Sequence, residues 1–240
     1  VFGDHRTFDQ SSTVDVTGRR LNPMVACALP GLGEPLSVAV VWEKRNPTGP
    51  DIWATWSSAG PSGFSTPKPV SNEATTLTAT NPSLMLVPGE DGADVLVAYH
   101  EQMRTLMNVG NTPVSVVTSS RAMVAIKRAV TSTFETPKQI SRTSDVTYAG
   151  MPSLGYIDGT IPKLVVVWDD NRHRFTSGTD IFCAISSNRG NSWGQDFVLV
   201  GDGGTQRLPA AYVNPAGKLR LAYRDETRPV RDGIQFRRVN

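Results

Sequence analysis

The chain has 240 residues, of which 24 are Lys or Arg and 22 are Asp or Glu, so its formal net charge is +2. Both signs are spread along the chain without a dense basic stripe, which argues against a protein that tracks a nucleic-acid backbone. No apolar run approaches the length of a membrane-spanning helix, so we expect no transmembrane segment. The chain begins at Val1 without a signal-peptide pattern, and a processed secreted protein and an excised piece would both begin in this way.

Short runs rich in Val, Thr and aromatic residues, separated by Gly- and Pro-rich turns, predict an all-β chain. Four segments repeat one pattern, in which a proline and a short apolar run precede an apolar strand that ends on an aromatic residue. The prolines are Pro23, Pro82, Pro152 and Pro209, and the closing aromatics are Trp42, Tyr99, Trp168 and Tyr223. The prolines are 59, 70 and 57 residues apart and the aromatics 57, 69 and 55, so both markers keep the same rhythm. We expect these aromatics to pack in the core rather than to stack on a sugar.

Each repeat continues with candidates for a third and a fourth strand. Residues 64–71 and 134–141 are almost the same octapeptide, and their internal proline suits an outer edge strand. Units of about 60 residues with four short strands predict a single β-propeller of four four-stranded blades. We place the blades at approximately 20–72, 80–142, 150–201, and 206–240 together with 1–16. Residues 8–15 share the Phe-to-Val spacing of the octapeptides, so we expect this N-terminal strand to close the ring.

The segment 186–193 follows a strand-like run and is rich in the Ser, Asn and Gly residues that favour turns. It is similar to the Asp-box of sialidase-like β-propellers, Ser-x-Asp-x-Gly-x-x-Trp, which forms the turn between the third and fourth strands of a blade. The matching residues here are Ser186, Asn188, Gly190 and Trp193, with Asn188 where the family has Asp. The resemblance implies a structural role for this turn, with Trp193 buried under it and Asn188 bonded to its backbone amides.

The resemblance to sialidase-like propellers covers nearly the whole chain and implies that a ligand binds at the mouth of a central channel. Loops that enter first strands share this face with loops that leave second strands, because neighbouring strands of a blade are antiparallel. Residues 206–209 resemble the motif before a sialidase first strand, whose Arg pairs with the substrate carboxylate, and Arg207 matches that Arg. The other candidate ligand-binding residues on this face are Arg172, Arg224, Asp169, Asp170, Glu101 and Tyr148.

The candidate residues leave several classes of function open. Sialidase chemistry implies three arginines on one carboxylate, a Tyr–Glu nucleophile pair and an Asp acid/base, and only Arg207 is tied to its role by a local motif. We therefore predict a non-catalytic, extracellular or cell-surface module that binds or scaffolds, with no catalytic residue. The alternatives are a sialidase-like glycoside hydrolase acting on an acidic sugar and a lectin-like glycan-binding module. The expected partner is a glycan or a protein at the channel face, and self-association into a filament or surface layer stays open.

Metal and thiol chemistry have little support in the sequence. Asp169, Asp170 and Asn171 carry oxygen ligands that suit Ca²⁺ but lack the spacing of an EF-hand loop. We therefore expect no cofactor, with a calcium site at these three residues as the alternative. For Cys27 and Cys183 we expect two buried free thiols, and a disulfide or a metal site is the alternative. The three histidines are not clustered, which argues against a His-based metal site.

Overall fold

The computed structural model describes the chain in nine ranges: 20–28, 37–46, 49–58, 63–71, 77–89, 91–142, 148–214, 217–226 and 233–238. These residues form strands and turns but no helix, so the all-β prediction is confirmed. A helix long and apolar enough to span a membrane is accordingly missing from these ranges.

The strands fall into four groups, which we call units 1 to 4, and each unit follows chain order. Unit 1 contains β1 (Arg20–Ala28), β2 (Ser37–Asn46), β3 (Gly49–Ser57) and β4 (Lys68–Pro69). Unit 2 contains β5 (Leu77–Gly89), β6 (Gly92–Val109), β7 (Thr112–Lys127) and β8 (Lys138–Gln139). Unit 3 contains β9 (Ala149–Ile157), β10 (Lys163–Asp170), β11 (Gly178–Ser186) and β12 (Phe197–Val200). Unit 4 contains β13 (Gly204–Val213), β14 (Leu219–Asp225) and β15 (Gly233–Arg238).

Neighbouring strands within every unit pair antiparallel. Units 3 and 4 are joined by a short parallel pairing, in which Gly178 and Thr179 face Gly204 and Thr205. The described pairings do not form a closed circle, so the ring, the count of four blades and their boundaries stay predictions. Residues 8–15, which we expect to close the ring, lie outside the described residues.

The second strand of units 1, 2 and 3 is apolar on both of its faces. β2, β6 and β10 contain runs of consecutive buried apolar residues that end on Trp42, Tyr99 and Trp168, and the residue after each aromatic is buried as well. A strand that lies inside a sheet covered on both faces has this composition because neither of its faces meets water. Tyr223 is buried at the corresponding position of β14. Core packing of the closing aromatics is therefore confirmed, and they are not available to stack on a sugar.

Apolar side chains fill the space between successive units. The third strand of units 1, 2 and 3 supplies two buried residues at equivalent positions, and we call the surface of the unit that carries them its trailing face. These residues are Ile52 and Ala54 in unit 1, Ala122 and Val124 in unit 2, and Ile181 and Cys183 in unit 3. The first strand of the following unit contributes one residue to the same core, and we call the surface that carries it the leading face. These residues are Leu84 in unit 2, Leu154 in unit 3 and Ala211 in unit 4. Burial of apolar area is the dominant favourable term in folding, so these three cores hold the units together.

The two cysteines lie on these faces and are both free. Cys183 is buried in the core between units 3 and 4, and burial raises the pKa of its thiol to about 12. Cys27 is exposed, so the expectation that both thiols are buried is wrong for this residue. The physical reason is its place on β1, an edge strand of its sheet that pairs with β2 alone among the described strands.

The first strand of each unit bends at its proline. The residues before the four prolines, Asn22, Asn81, Met151 and Leu208, have φ values of 49°, 53°, 48° and 54°. Residues other than glycine adopt this left-handed conformation rarely, so its recurrence at one repeat position marks a shared structural device. The bends line one cavity of about 430 Å³. All four units therefore meet around a common centre.

The turn 186–193 is held by its own side chains. Ser186 Oγ accepts the N–H of Gly190 (2.8 Å), and Asn188 Oδ1 accepts the N–H of Ser192 (2.9 Å). These bonds match the expected contact of Asn188 with backbone amides, and assignment of the turn to the Asp-box class stays a prediction. Trp193 is half-buried rather than fully buried, and it packs against the core between units 2 and 3.

Replacement of Trp193 tests how much this turn contributes. Trp193→Ala should lower the free energy of unfolding by about 2 kcal/mol, less than the ~3–5 kcal/mol lost with a fully buried aromatic residue, because the indole is half-buried. Chemical denaturation measures the change. The matched control is Phe175→Ala, which removes an exposed aromatic and should change stability by less than about 0.5 kcal/mol. Equal effects of the two substitutions would contradict the packing role of Trp193.

A buried carboxylate ties units 2 and 3 together. Asp94 accepts hydrogen bonds from Arg128 Nη1 (3.1 Å), Arg189 Nη2 (2.8 Å) and the backbone N–H of Ala129 (2.9 Å). Arg128 Nη1 and Nη2 also donate to Arg189 O (2.9 Å) and Asn191 Oδ1 (2.7 Å), so the guanidinium joins unit 2 to the turn of unit 3. Charged donors on one carboxylate are stronger than neutral hydrogen bonds. The cluster fixes unit 3 against unit 2.

Removal of this carboxylate should loosen the same junction. Asp94→Ala leaves Arg128 and Arg189 without their shared acceptor, and we expect a loss of about 2–3 kcal/mol, below the full cost of a broken buried pair because both arginines are partly exposed. Urea denaturation gives the value. Asp202→Ala is the control, since Asp202 is exposed and lies 3.5 Å from Arg237, and it should cost less than about 0.5 kcal/mol. A loss at Asp94 no larger than at Asp202 would exclude the junction role.

Candidate functional site

The residue after each closing aromatic lies where a second strand reaches the candidate channel face. These residues are Glu43, His100, Asp169 and Arg224. Pairing places them opposite equivalent residues of the third strands, which shows that they occupy one repeat position. The first three are buried and Arg224 is exposed. The fold therefore collects four ionisable side chains at one position, and their surroundings decide what each can do.

Two of these side chains bind the next unit at its bent first strand. Glu43 Oε1 accepts the N–H of Asn81 (2.7 Å), and the carboxylate of Asp169 accepts the N–H of Leu208. Asn81 and Leu208 are both residues with positive φ before a proline. A carboxylate at this position thus satisfies a backbone donor that the bend would otherwise leave without a partner. Asp169 Oδ1 has no hydrogen-bond partner among the described residues.

Tyr148, Asp169 and Arg207 form one electrostatic group, and His100 adjoins it. Burial raises the pKa of Asp169 to about 7, and Arg207 opposes that rise. Burial and the charge of Asp169 raise the pKa of Tyr148 to about 12. The rings of Tyr148 and His100 meet edge to face, with centroids 5.0 Å apart, and burial lowers the pKa of His100 to about 4. At neutral pH the tyrosine and the histidine are therefore uncharged.

Glycine at position 150 lets Tyr148 take this place. A Cβ atom at Gly150 would collide with the hydroxyl end of the Tyr148 ring, so the ring occupies the space above the glycine. The backbone N–H of Tyr148 donates to Asn171 Oδ1 (2.7 Å), and the N–H of Asn171 donates to Tyr148 O (2.9 Å). Asn171 is therefore a support for Tyr148.

Arg207 and Arg224 lie side by side at the edge of this group. They are directly opposite each other in the pairing of β13 with β14. Glu226 lies between their charges, with Oε2 3.9 Å from Arg207 Nε and Oε1 3.3 Å from Arg224 Nη1. Both guanidinium groups are about half exposed. Two adjacent guanidinium groups that reach solvent suit a carboxylate ligand, which each can bind in a planar, bidentate manner.

Arg172 and Asp170 belong to a separate, structural cluster. Arg172 Nη2 lies 2.6 Å from Asp170 Oδ2 and 2.7 Å from Asp196 Oδ2, and its guanidinium covers the ring of Phe182 at 4.0 Å. Asp170 also accepts a hydrogen bond from Trp168 Nε1 (3.2 Å). These contacts commit both residues to the packing of unit 3. The structure does not bring them together with Arg207.

Glu101 has a partner that the sequence did not indicate. Arg121 Nε donates to Glu101 Oε1 at 2.6 Å, and the two residues are opposite each other in the pairing of β6 with β7. Glu101 is buried, so its charge is balanced by Arg121 rather than by a ligand. The two residues meet because β6 and β7 form a long hairpin whose register places them opposite each other. No short-range signal in the sequence predicts this register.

The calcium alternative gains no support from the surroundings of its three residues. Asp170 is engaged by Arg172, and Asn171 Oδ1 accepts the N–H of Tyr148. Across the described ranges, no group of three or more His, Cys, Asp or Glu side chains is arranged to hold a metal ion. A calcium site near Asp169 stays untested.

The raised pKa of Asp169 predicts how stability depends on pH. The folded-state pKa of about 7 lies above the ordinary 3.8, so the stabilisation is complete below pH 4 and is lost as pH rises through 7. Asp169→Asn keeps an oxygen for the N–H of Leu208 and removes the ionisation. Between pH 5 and 7 the variant should gain up to about 1.4 kcal/mol per pH unit relative to wild type, by urea denaturation. Asp202→Asn is the control, and parallel pH profiles for wild type and Asp169→Asn would refute the assignment.

No family model matches this chain, and no curated protein matches it. Solved structures do. The leech intramolecular trans-sialidase superposes with a TM-score of 0.59 at 8% identity, over 94% of this chain and 50% of that chain. NanB sialidase from Streptococcus pneumoniae gives 0.55 at 10% identity, over 98% and 54%. The endo-arabinase from Bacteroides thetaiotaomicron gives 0.52 at 14% identity, over 95% and 78%.

Such low identities carry information about the fold alone. The chain spans about half the length of the two sialidases, so their activities do not transfer with the superposition. The coverage of this chain is nearly complete in all three comparisons. The chain has the sialidase-like β-propeller fold.

Proposed function

We propose that the channel face binds a sugar that carries a carboxylate, and that it does so without hydrolysing it. The observation that carries the proposal is the adjacent pair Arg207 and Arg224, half exposed and bridged by Glu226. A ligand carboxylate would take the place that Glu226 now holds between them, and charge-assisted bonds to two guanidinium groups favour it. The proposed module acts at a cell surface or on an extracellular assembly, where it binds or scaffolds.

One pKa and two sets of ion pairs argue against hydrolysis. The pKa of Tyr148 is about 12, so this phenol is a poor nucleophile at neutral pH. Glu101, the candidate partner for a tyrosine nucleophile, is bound by Arg121. Arg172, the candidate third arginine, is bound by Asp170 and Asp196. Two of the groups that the sialidase resemblance implies for catalysis, Glu101 and Arg172, are therefore engaged elsewhere.

A glycoside hydrolase is the second candidate, and one observation favours it. Asp169 is a buried carboxyl with a pKa of about 7 beside Tyr148 and Arg207, and a general acid works best when its pKa lies near the working pH. In this alternative Asp169 would donate a proton to the leaving group. The two candidates share the arginine pair and differ in whether a bound sugar is cleaved.

One set of assays separates the candidates. Titration calorimetry with sialyllactose should detect binding, and lactose, which lacks the carboxylate, should bind much more weakly. Arg207→Ala and Arg224→Ala should each weaken sialyllactose binding by at least about tenfold, the loss expected for one charged hydrogen-bonding partner. Arg237→Ala is the matched control, because Arg237 is equally exposed on the same sheet at a position opposite Leu221.

Two results would overturn the proposal. Release of a fluorophore from a sialoside by the wild type, lost in Arg207→Ala, would establish the hydrolase instead. Equal affinity for sialyllactose and lactose, or unchanged binding in both arginine variants, would show that the pair does not hold the carboxylate.

A further inference from the structure

One residue on the first strand of each unit is paired with the ionisable residue of the second strand. It lies directly before the bent residue with positive φ, and the four residues at this position are Leu21, Thr80, Gly150 and Arg207. Their partners across the sheet are Glu43, His100, Asp169 and Arg224. Every unit therefore places one such pair at the channel face, and the arginine pair of the proposed function is the pair of unit 4.

Unit 3 departs from this repeat because its first-strand residue, Gly150, has no side chain. The ring of Tyr148, two residues earlier in the chain, occupies the space instead, and a Cβ atom added at Gly150 would collide with the Tyr148 hydroxyl oxygen. Any other residue at position 150 would therefore displace the hydroxyl from this place.

Unit 2 departs from the repeat at the second-strand residue, His100. At the same position Glu43 and Asp169 accept the N–H of the bent residue in the following unit. Neither ring nitrogen of His100 has a hydrogen-bond partner among the described residues. The His100 ring meets the Tyr148 ring edge to face, with an interplanar angle of 78°, which is a favourable arrangement for two aromatic rings. Both departures from the repeat thus contact the same tyrosine.

Tyr148 lies beside the arginine pair. Gly150 is paired with Asp169, and the carboxylate of Asp169 accepts the N–H of Leu208, the residue after Arg207. The charges of Asp169 and Arg207 both act on the Tyr148 hydroxyl. Tyr148 is half-buried, so part of it reaches solvent. A tyrosine hydroxyl that keeps its proton at neutral pH is a hydrogen-bond donor.

We propose that Gly150 and His100 form a seat that holds the Tyr148 hydroxyl as a second ligand contact, a hydrogen-bond donor to a sugar oxygen beside the carboxylate. The inference rests on the proposed function, in which Arg207 and Arg224 hold that carboxylate. Gly150 and His100 are positioning residues, since they act through Tyr148. The seat selects ligands in which an oxygen atom lies next to the carboxylate, as it does in sugar acids.

Calorimetric titration with sialyllactose tests the ligand contact. Tyr148→Phe removes only the hydroxyl and should weaken binding about three- to tenfold, the loss expected for one neutral hydrogen bond. Gly150→Ala should weaken binding by the same factor, because its methyl group displaces that hydroxyl. The double variant should lose no more than either single variant, since both remove one contact. Cyclohexanecarboxylate, which lacks the oxygen, should bind wild type and Tyr148→Phe equally.

Two matched controls accompany these variants. Gly159→Ala adds the same methyl group in the same unit, at a glycine whose added Cβ would have no atom within 4 Å. Tyr212→Phe removes a hydroxyl from a tyrosine of unit 4 that is 60% exposed. Both controls should bind sialyllactose as the wild type does.

Nuclear magnetic resonance of the histidine rings tests the seat without any ligand. The chain has only three histidines, so the His100 ring signals can be followed individually. Tyr148→Phe keeps an aromatic ring in place and should leave these signals almost unchanged, whereas Gly150→Ala moves the ring and should shift them. The signals of His173, which is held by Asp180, should stay unchanged in both variants unless the fold itself is lost.

The outcomes separate this inference from the proposed function. Sialyllactose binding that depends on Arg207 but is unchanged in Tyr148→Phe would overturn the inference and leave the proposed function standing. Equal binding of sialyllactose and lactose would overturn the proposed function, and the ligand contact of Tyr148 with it. Unchanged His100 signals in Gly150→Ala would show that Gly150 is not part of a seat.

A further variant covers the case in which Gly150→Ala does not fold. Tyr148→Ala combined with Gly150→Ala removes the ring with which the added methyl group collides, so folding should be recovered, as measured by circular dichroism. A double variant that stays unfolded would contradict the placement of Tyr148 over Gly150.

Discussion

Apolar packing between successive units is the interaction on which the rest of this structure depends. A two-residue fourth strand, such as β4 or β8, contributes few ladder bonds, and a single small sheet buries too little surface to be stable alone. The cores between units remove both faces of β6 and β10 from water. They also set the angle between neighbouring sheets, and thereby where the second strands end. The position of every charged group on the channel face follows from that angle.

The framework explains why chemically different side chains appear at one repeat position. Glu43 and Asp169 satisfy the backbone N–H of a bent first strand in the next unit, which is a structural task. Arg224 stands at the same position of the last unit and is half exposed beside Arg207. The same position thus carries a structural carboxylate in two units and a half-exposed guanidinium in the last. The proposed binding function uses this guanidinium together with that of Arg207.

The superposition with two sialidases concerns the fold. It accounts for the backbone arrangement and not for how the charged groups of this chain are paired. Here Arg121, Asp196 and Asp170 hold Glu101 and Arg172 within their own units. A common scaffold with different pairings is sufficient to change what the face can do.

The sequence by itself determined the features that depend on local chemistry. The proline and aromatic markers predicted the strands and their order, and Ser186 and Asn188 predicted the bonding of their turn, because these signals act over a few residues. Tertiary structure decided the partner of each charge, the half-burial of Trp193 and the exposure of Cys27. Pairing of Glu101 with Arg121 required the register of a long hairpin, and the place of Arg172 required Asp196 from a distant turn. Such contacts join segments far apart in the chain, and periodicity within a strand carries no information about them.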